Sequence, residues 1–157
     1  MRKYFAAAAA LAASLTACSY AQADLLASCV STESVDPASG RVYPAEKGKE
    51  SHIEINFSTL GKGTISYKDI KNGRSGSANI DPQRIKEESE GKSQFFQFIP
   101  LTDKNFRSVS LIVEGSAPER VENGWAHNQG RVIVGTSYAG IINYACDVKH
   151  RISAKKK

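Results

Sequence analysis

Between Ser51 and Ser58 apolar and polar side chains alternate without a break. Ile53, Ile55 and Phe57 point to one side, and His52, Glu54, Asn56 and Ser58 to the other. A period of two marks a strand buried on one face only, so this stretch cannot be helical and needs a sheet around it. The pattern recurs along the chain. Ile65 and Tyr67 share a face within Thr64–Ile70, and Val109, Leu111 and Val113 share one within Arg107–Glu114. From Arg131 to Val148 the residues Val132, Val134, Thr136 and Tyr138 stay in register. A bend is expected near Gly140, and Ile142, Tyr144, Cys146 and Val148 then continue the pattern.

Gln94–Leu101 carries Phe95, Phe96, Phe98 and Ile99 and predicts a strand covered on both faces or one that crosses between sheet layers. Asn72-Gly73 predicts a type I′ hairpin, in which both central residues need positive φ. The small, polar returning stretch Ser75–Ile80 predicts an edge strand. Ala117–Gly130 reads as a long polar connection. Seven or eight such strands argue for an all-β fold, a small antiparallel sandwich or barrel, rather than βαβ units. At most one short surface helix, or an ordered loop in its place, is expected: Asp81 as N-cap, Pro82 at the first helical position, two turns over Arg84–Glu90, and Gly91 as terminator. Glu87, Glu88 and Glu90 would form its solvated face.

The fold must complete itself within one domain. Met1-Arg2-Lys3 followed by an apolar run to Leu15 has the form of a bacterial secretory signal over residues 1–23. That run is shorter than the ~20 apolar residues a membrane-spanning helix needs. Two cleavage readings stand side by side. Ala21-Gln22-Ala23 before Asp24 matches a small-residue site for release as a free periplasmic or secreted protein. Leu15-Thr16-Ala17-Cys18 resembles the bacterial lipobox. That resemblance implies lipidation of Cys18 and an N-terminal anchor, making the chain a periplasmic or outer-membrane lipoprotein. Either way the expected location is the cell envelope or beyond.

Residues 24–148 are then a single β domain and 149–157 a basic tail. From residue 24 on there are 19 basic and 16 acidic side chains. Five of the basic ones, Lys149, Arg151, Lys155, Lys156 and Lys157, follow the last acidic residue, Asp147. Without them the body is slightly acidic, and it lacks the basic stripe that tracks nucleic-acid phosphates.

Excision or lipidation removes Cys18 from pairing and leaves Cys29 and Cys146. An even pair in an oxidising compartment predicts a disulfide joining the first strand to the last. No C-x-x-C spacing, phosphate loop or calcium loop is present, so neither a metal nor another cofactor is expected.

Three functional readings follow. The first is a binding or interaction module of the envelope. Its partner would be an envelope or host protein, a glycan or a lipid. The candidate binding loop contains Glu119, Glu122, Trp125 and His127, since loops on rigid sheets carry function and tryptophan is favoured at binding hot spots. The second is a small barrel carrying an apolar ligand among Tyr67, Tyr138, Tyr144 and Phe95–Phe98. The third is a serine hydrolase. Gly135-Thr136-Ser137-Tyr138-Ala139 resembles the nucleophile elbow of the α/β-hydrolases, and Asp147 and His150 follow in the required order. Its fifth position is alanine rather than glycine, and the domain is too short for that fold. A non-enzymatic role is therefore the expectation, with no catalytic residue assigned.

Overall fold

The computed structural model describes residues 24–58, 63–80, 86–90, 93–98, 104–115 and 117–152. Cys18 and Lys155–Lys157 lie outside them. The described residues form eleven strands: β1 (Leu25–Val35), β2 (Val42–Pro44), β3 (Ser51–Phe57), β4 (Gly63–Asp69), β5 (Arg74–Ile80), β6 (Lys86–Glu90), β7 (Ser93–Phe98), β8 (Phe106–Val113), β9 (Arg120–Glu122), β10 (Trp125–Thr136) and β11 (Ile141–Arg151). All belong to one antiparallel sheet in the order β5-β4-β3-β1-β11-β10-β8-β7-β6. The two short strands pair at its margins, β2 on β1 and β9 on β10.

The sheet curls into a half-barrel because every long strand hides the same set of alternate residues. Ala27 and Cys29 of β1, Ile53 and Ile55 of β3, Ile65 and Tyr67 of β4, Val109 and Leu111 of β8, Val132 and Val134 of β10, and Tyr144 and Val148 of β11 form one core. Aromatic rings join the two wings across the concave side. Phe57 meets Phe96 and Phe98 at 6.4 and 6.3 Å between centroids, and Tyr67 meets Phe106 at 4.5 Å. These are spacings at which tilted ring pairs attract.

Cys29 and Cys146 are bonded and sit directly opposite each other in the β1–β11 ladder, Cα atoms 4.1 Å apart. The first and last long strands are thus neighbours at the centre of the sheet. Gly130 faces Cys146 from the other side, in β10. A Cβ at Gly130 would come within 2.5 Å of Val148 Cγ2 and 3.0 Å of the Ile112 carbonyl. Gly130→Ala should therefore cost about 1–3 kcal/mol through overpacking, measurable by urea titration.

Four expectations need correction. The helix over Arg84–Glu90 is absent in its described part. Lys86–Glu90 is strand β6, paired with β7 from Lys86 opposite Gln97 to Glu90 opposite Ser93. With no apolar face to bury, Lys-Glu-Glu-Ser-Glu gains more from a hairpin ladder to the Phe-rich β7 than from an isolated helical turn. The cap residues 81–85 lie outside the described part.

The connection from Ala117 to Gly130 is also not open. Asn123 and Gly124, with φ of 52° and 79°, turn β9 tightly into β10. The β4–β5 turn, by contrast, runs over residues 70–73 with only Gly73 left-handed. The Asp69 carboxylate captures the Asn72 amide at 3.0 Å and holds Asn72 out of the type I′ geometry. Finally, β7 is not buried on both faces to the same degree. Phe96 and Phe98 belong to the core, and Phe95 is half-buried on the outer side.

Candidate functional site

The two ends of the half-barrel differ in chemistry. β1 runs from one to the other over eleven residues, roughly 35 Å at strand rise. At the end where β1 finishes, four hydrogen bonds converge on Asp69. Its side chain is nearly sealed from solvent, at 3% exposed. Asn72 donates to it twice, from the backbone amide (3.0 Å) and from Nδ2 (2.8 Å). Tyr138, in the bend between β10 and β11, donates its hydroxyl to Oδ2 at 3.0 Å. Ser51, first residue of β3, adds a further hydrogen bond. Burial pushes the Asp69 carboxyl up, but the donors from Asn72, Tyr138 and Ser51 outweigh it and hold it below the ordinary aspartate value. Burial, reinforced by the charge of Asp69, raises the Tyr138 hydroxyl well above the usual tyrosine range. Burial does the same to Tyr144. Both phenols therefore stay protonated at neutral pH.

The surroundings fix this cluster. A bulge in β1 between Ser31 and Glu33 turns the Ser31 hydroxyl to accept the Ser51 amide at 2.8 Å. The Arg74 guanidinium lies 4.3 Å over the Tyr138 ring and donates to Asn105 Oδ1 at 2.9 Å. Asn105 in turn donates to the Tyr67 hydroxyl at 2.8 Å. Outside the cluster opens a cleft of about 160 Å³. Ser31, Ser51, Asp69, Asn72 and Tyr138 form its inner lining, and Tyr43, Glu46, Lys49 and Lys71 its rim. Glu46 accepts from Lys49 at 2.8 Å and from Lys71 at 3.2 Å, which ties the rim together.

The other end carries the residues singled out from the sequence. Glu122 and Trp125 face each other across the β9–β10 turn. Glu119 donates its amide to the His127 carbonyl at 2.9 Å, and its carboxylate accepts from Gln129 Nε2 at 3.4 Å. His127 is buried to 8% exposure, with Arg120 Nη2 3.0 Å from Nδ1 and Asp147 Oδ1 at 3.4 Å. The Trp125 ring is half-buried beneath the Arg151 guanidinium at 4.8 Å. The four residues therefore share one hairpin, but His127 is turned into side-chain contacts rather than presented to solvent.

The hydrolase constellation does not assemble. Ser137 is exposed in the β10–β11 bend, whereas His150 lies at the far end of β11 opposite Ala126. His150 lies nine strand positions beyond Ile141, roughly 30 Å, far beyond hydrogen-bond reach. The bend has its own explanation: Thr136 donates to the Gly140 carbonyl at 2.9 Å and accepts the Ala139 amide. No group of three or more His, Cys, Asp or Glu side chains among the described residues is arranged to hold a metal ion.

Sequence reasoning missed Asp69, Ser51 and Asn72 as partners. Only Asn72-Gly73 carried a local signal, and it was read as a turn alone. No protein-family model matches the chain, and no curated protein does. Two solved structures show a loose likeness. "GphF Dehydratase 1" matches at a TM-score of 0.28 with 7% identity, over 82% of this chain and 77% of that one. An isomerase-inactive variant of the same domain gives 0.27 and 7%, over 83% and 76%. Superpositions this loose assign neither a fold family nor a function.

Proposed function

We propose that the protein is an exported, lipid-anchored interaction module of the cell envelope, and that the cleft over Asp69 grips a polar side chain of a partner protein. The observation that carries this reading is the cleft itself. It is a small concave site whose hydrogen-bonding groups are locked in advance by four separate segments of chain. Preorganisation of that kind lowers the ordering cost of binding. Size separates the reading from that of a carrier. About 160 Å³ is well under the ~300–1,000 Å³ of pockets that enclose a small molecule, and it suits one protruding side chain. The aromatic residues that a carrier would use are engaged with each other: Phe57 with Phe96 and Phe98, and Tyr67 with Phe106. The Cys29–Cys146 bond accords with an oxidising compartment.

A photo-crosslinking amino acid at Tyr43, which is 46% exposed on the rim, should capture one envelope protein in cells. Lys71→Glu should weaken that capture by reversing a rim charge. The same crosslinker at Val121, at the opposite end, should not capture that protein. Capture of one partner equally from both positions, or only from Val121, would remove the cleft from the reading.

A further inference from the structure

We infer that two copies of this chain join edge to edge through β5, so that the antiparallel sheet continues from one copy into the other. This inference goes beyond the partner-binding reading and uses the edge of the sheet, not the cleft.

An edge strand carries backbone N–H and C=O groups with no ladder to enter. Proteins deter chance pairing at such edges with charge, proline or bulges. The edges of this sheet are β5 and β6. β6 has a charged residue at four of its five positions, Lys86, Glu87, Glu88 and Glu90. β5 has none of these devices. Ser75-Gly76-Ser77-Ala78-Asn79-Ile80 contains no charge and no proline, and its ladder with β4 runs from Arg74 to Ile80 without a bulge. Arg74, the one charge on the strand, is engaged by the Tyr138 ring at 4.3 Å and by Asn105 at 2.9 Å. Residues 74–77 and Asn79 are exposed. Among the described residues, 74–80 make no backbone hydrogen bond beyond the β4 ladder.

The strand is also held straight from the core side. Ala78 and Ile80 are buried, at 2% and 3% exposed. The Tyr67 ring lies against Gly76, where a Cβ would stand 3.1 Å from Cε1 and 3.2 Å from the hydroxyl oxygen. An aromatic ring over an edge glycine offsets the freedom that glycine brings.

The sequence of β5 names the occupant, because the strand is its own complement. A two-fold axis at Ser77 sets Ser77 opposite Ser77 of the second copy, Gly76 opposite its Ala78, Ser75 opposite its Asn79, and Arg74 opposite its Ile80. No like charges meet. Ser66 pairs with Ser77 inside each copy, so four serines form one row across the joint on the outer face, and cross-strand hydroxyl pairs are favourable. Gly76 and Ala78 add no bulk on the core face. A charged partner strand, by contrast, would find no counter-charge between Ser75 and Ile80. The two-fold arrangement uses each β5 once and therefore stops at two copies. Seven residues give roughly 23 Å of ladder, an interface well below the ~1,000 Å² of a permanent one. The pairing is therefore reversible.

Sedimentation velocity on the purified protein should show monomer at low concentration, dimer at high concentration and nothing larger. Ser77→Lys sets two ammonium groups opposite each other, which should raise the midpoint concentration roughly fivefold and leave the melting temperature of the monomer unchanged. Disulfides read the register. Ser77→Cys should give a covalent dimer under mild oxidation, and the wild type should not. Ser75→Cys mixed with Asn79→Cys should give the mixed dimer. Either alone should not, since its two copies lie four residues apart along the ladder, roughly 13 Å. A protein that stays monomeric at its highest soluble concentration would overturn the inference. So would a dimer indifferent to Ser77→Lys, assemblies larger than two, or Ser75→Cys crosslinking alone as readily as in the mixture. Failure of the Tyr43 crosslink would strike the cleft and leave this joint standing.

Discussion

Replacing Cys29 and Cys146 together by alanine should lower the melting temperature by roughly 10–20 °C while leaving the strand order intact. The bond spans 117 residues of sequence. Closing a loop of that length in the unfolded chain is worth about 5 kcal/mol in the chain-entropy treatment, an upper figure because unfolded chains keep some structure. Domains of this size have stabilities of about 5–15 kcal/mol, so a loss of about 3–5 is a large fraction. For a chain of this length each kcal/mol moves the midpoint by about 3–5 °C. The fold should survive because the bond is not what pairs the strands. β1 and β11 pair from Leu25 opposite His150 to Val35 opposite Ile141, with one bulge between Ser31 and Glu33, and β3 and β10 flank them. Both cysteines are buried, so alanine, with no hydroxyl to satisfy, is the proper replacement. Thermal melts of the wild type with and without reductant should reproduce the shift, and far-UV circular dichroism at 25 °C should match. An unchanged midpoint after complete reduction would refute the argument.

How much of this was legible in the sequence depends on the range of the interaction. Ile53, Ile55 and Phe57, or Val109, Leu111 and Val113, declare their strands locally because alternation is a property of neighbours. The disulfide was legible for a different reason: with Cys18 inside the expected signal, two cysteines are left to pair in the oxidising compartment that signal implies. β6 was not legible, because Lys86–Glu90 has no alternation of its own. Its strand character comes from β7 beside it, a tertiary influence that overrides local propensity. β9 was hidden by its length, since three residues are too few to show a period.

The Asp69 cluster was invisible for a stronger reason. Ser51, Asp69 and Tyr138 come together only because Ser51 pairs with Asp69 in the β3–β4 ladder and the β10–β11 bend folds over both. Nothing local in any of the three segments encodes that meeting. The Trp125 hairpin was found, but as a loop. Asn123-Gly124 is the same dipeptide as Asn72-Gly73, and only at 123–124 do both residues take positive φ.

Asp69 is the group whose removal should matter most after the disulfide, and pH separates its two contributions. Asp69→Ala strands the Asn72 amide and the Tyr138 hydroxyl. Each hydrogen bond to a charged acceptor is worth about 1.5–3 kcal/mol, so a loss of about 3–4 kcal/mol is expected. Asp69→Asn keeps the shape and one acceptor, and the Tyr138 hydroxyl can rotate to accept from the new amide, so its cost should be about 1–2 kcal/mol. The wild-type carboxyl sits below the ordinary aspartate value in the fold. Its charged form is therefore favoured there, and the stabilisation is fully present above the unfolded value of about 4. It is lost as pH falls through the lower folded value. Tyr138 works with the opposite sign. Its raised pKa gives stabilisation that is complete below about pH 10, the unfolded value, and declines above it. Urea midpoints across pH should thus form a plateau with an acid limb and an alkaline limb. Asp69→Asn should flatten the acid limb, and Tyr138→Phe the alkaline one, beside whatever Tyr144 and other tyrosines contribute. An Asp69→Asn protein whose acid limb is as steep as that of the wild type would show that the carboxylate is not held by these donors. The preorganised cleft built on it would fall with that result.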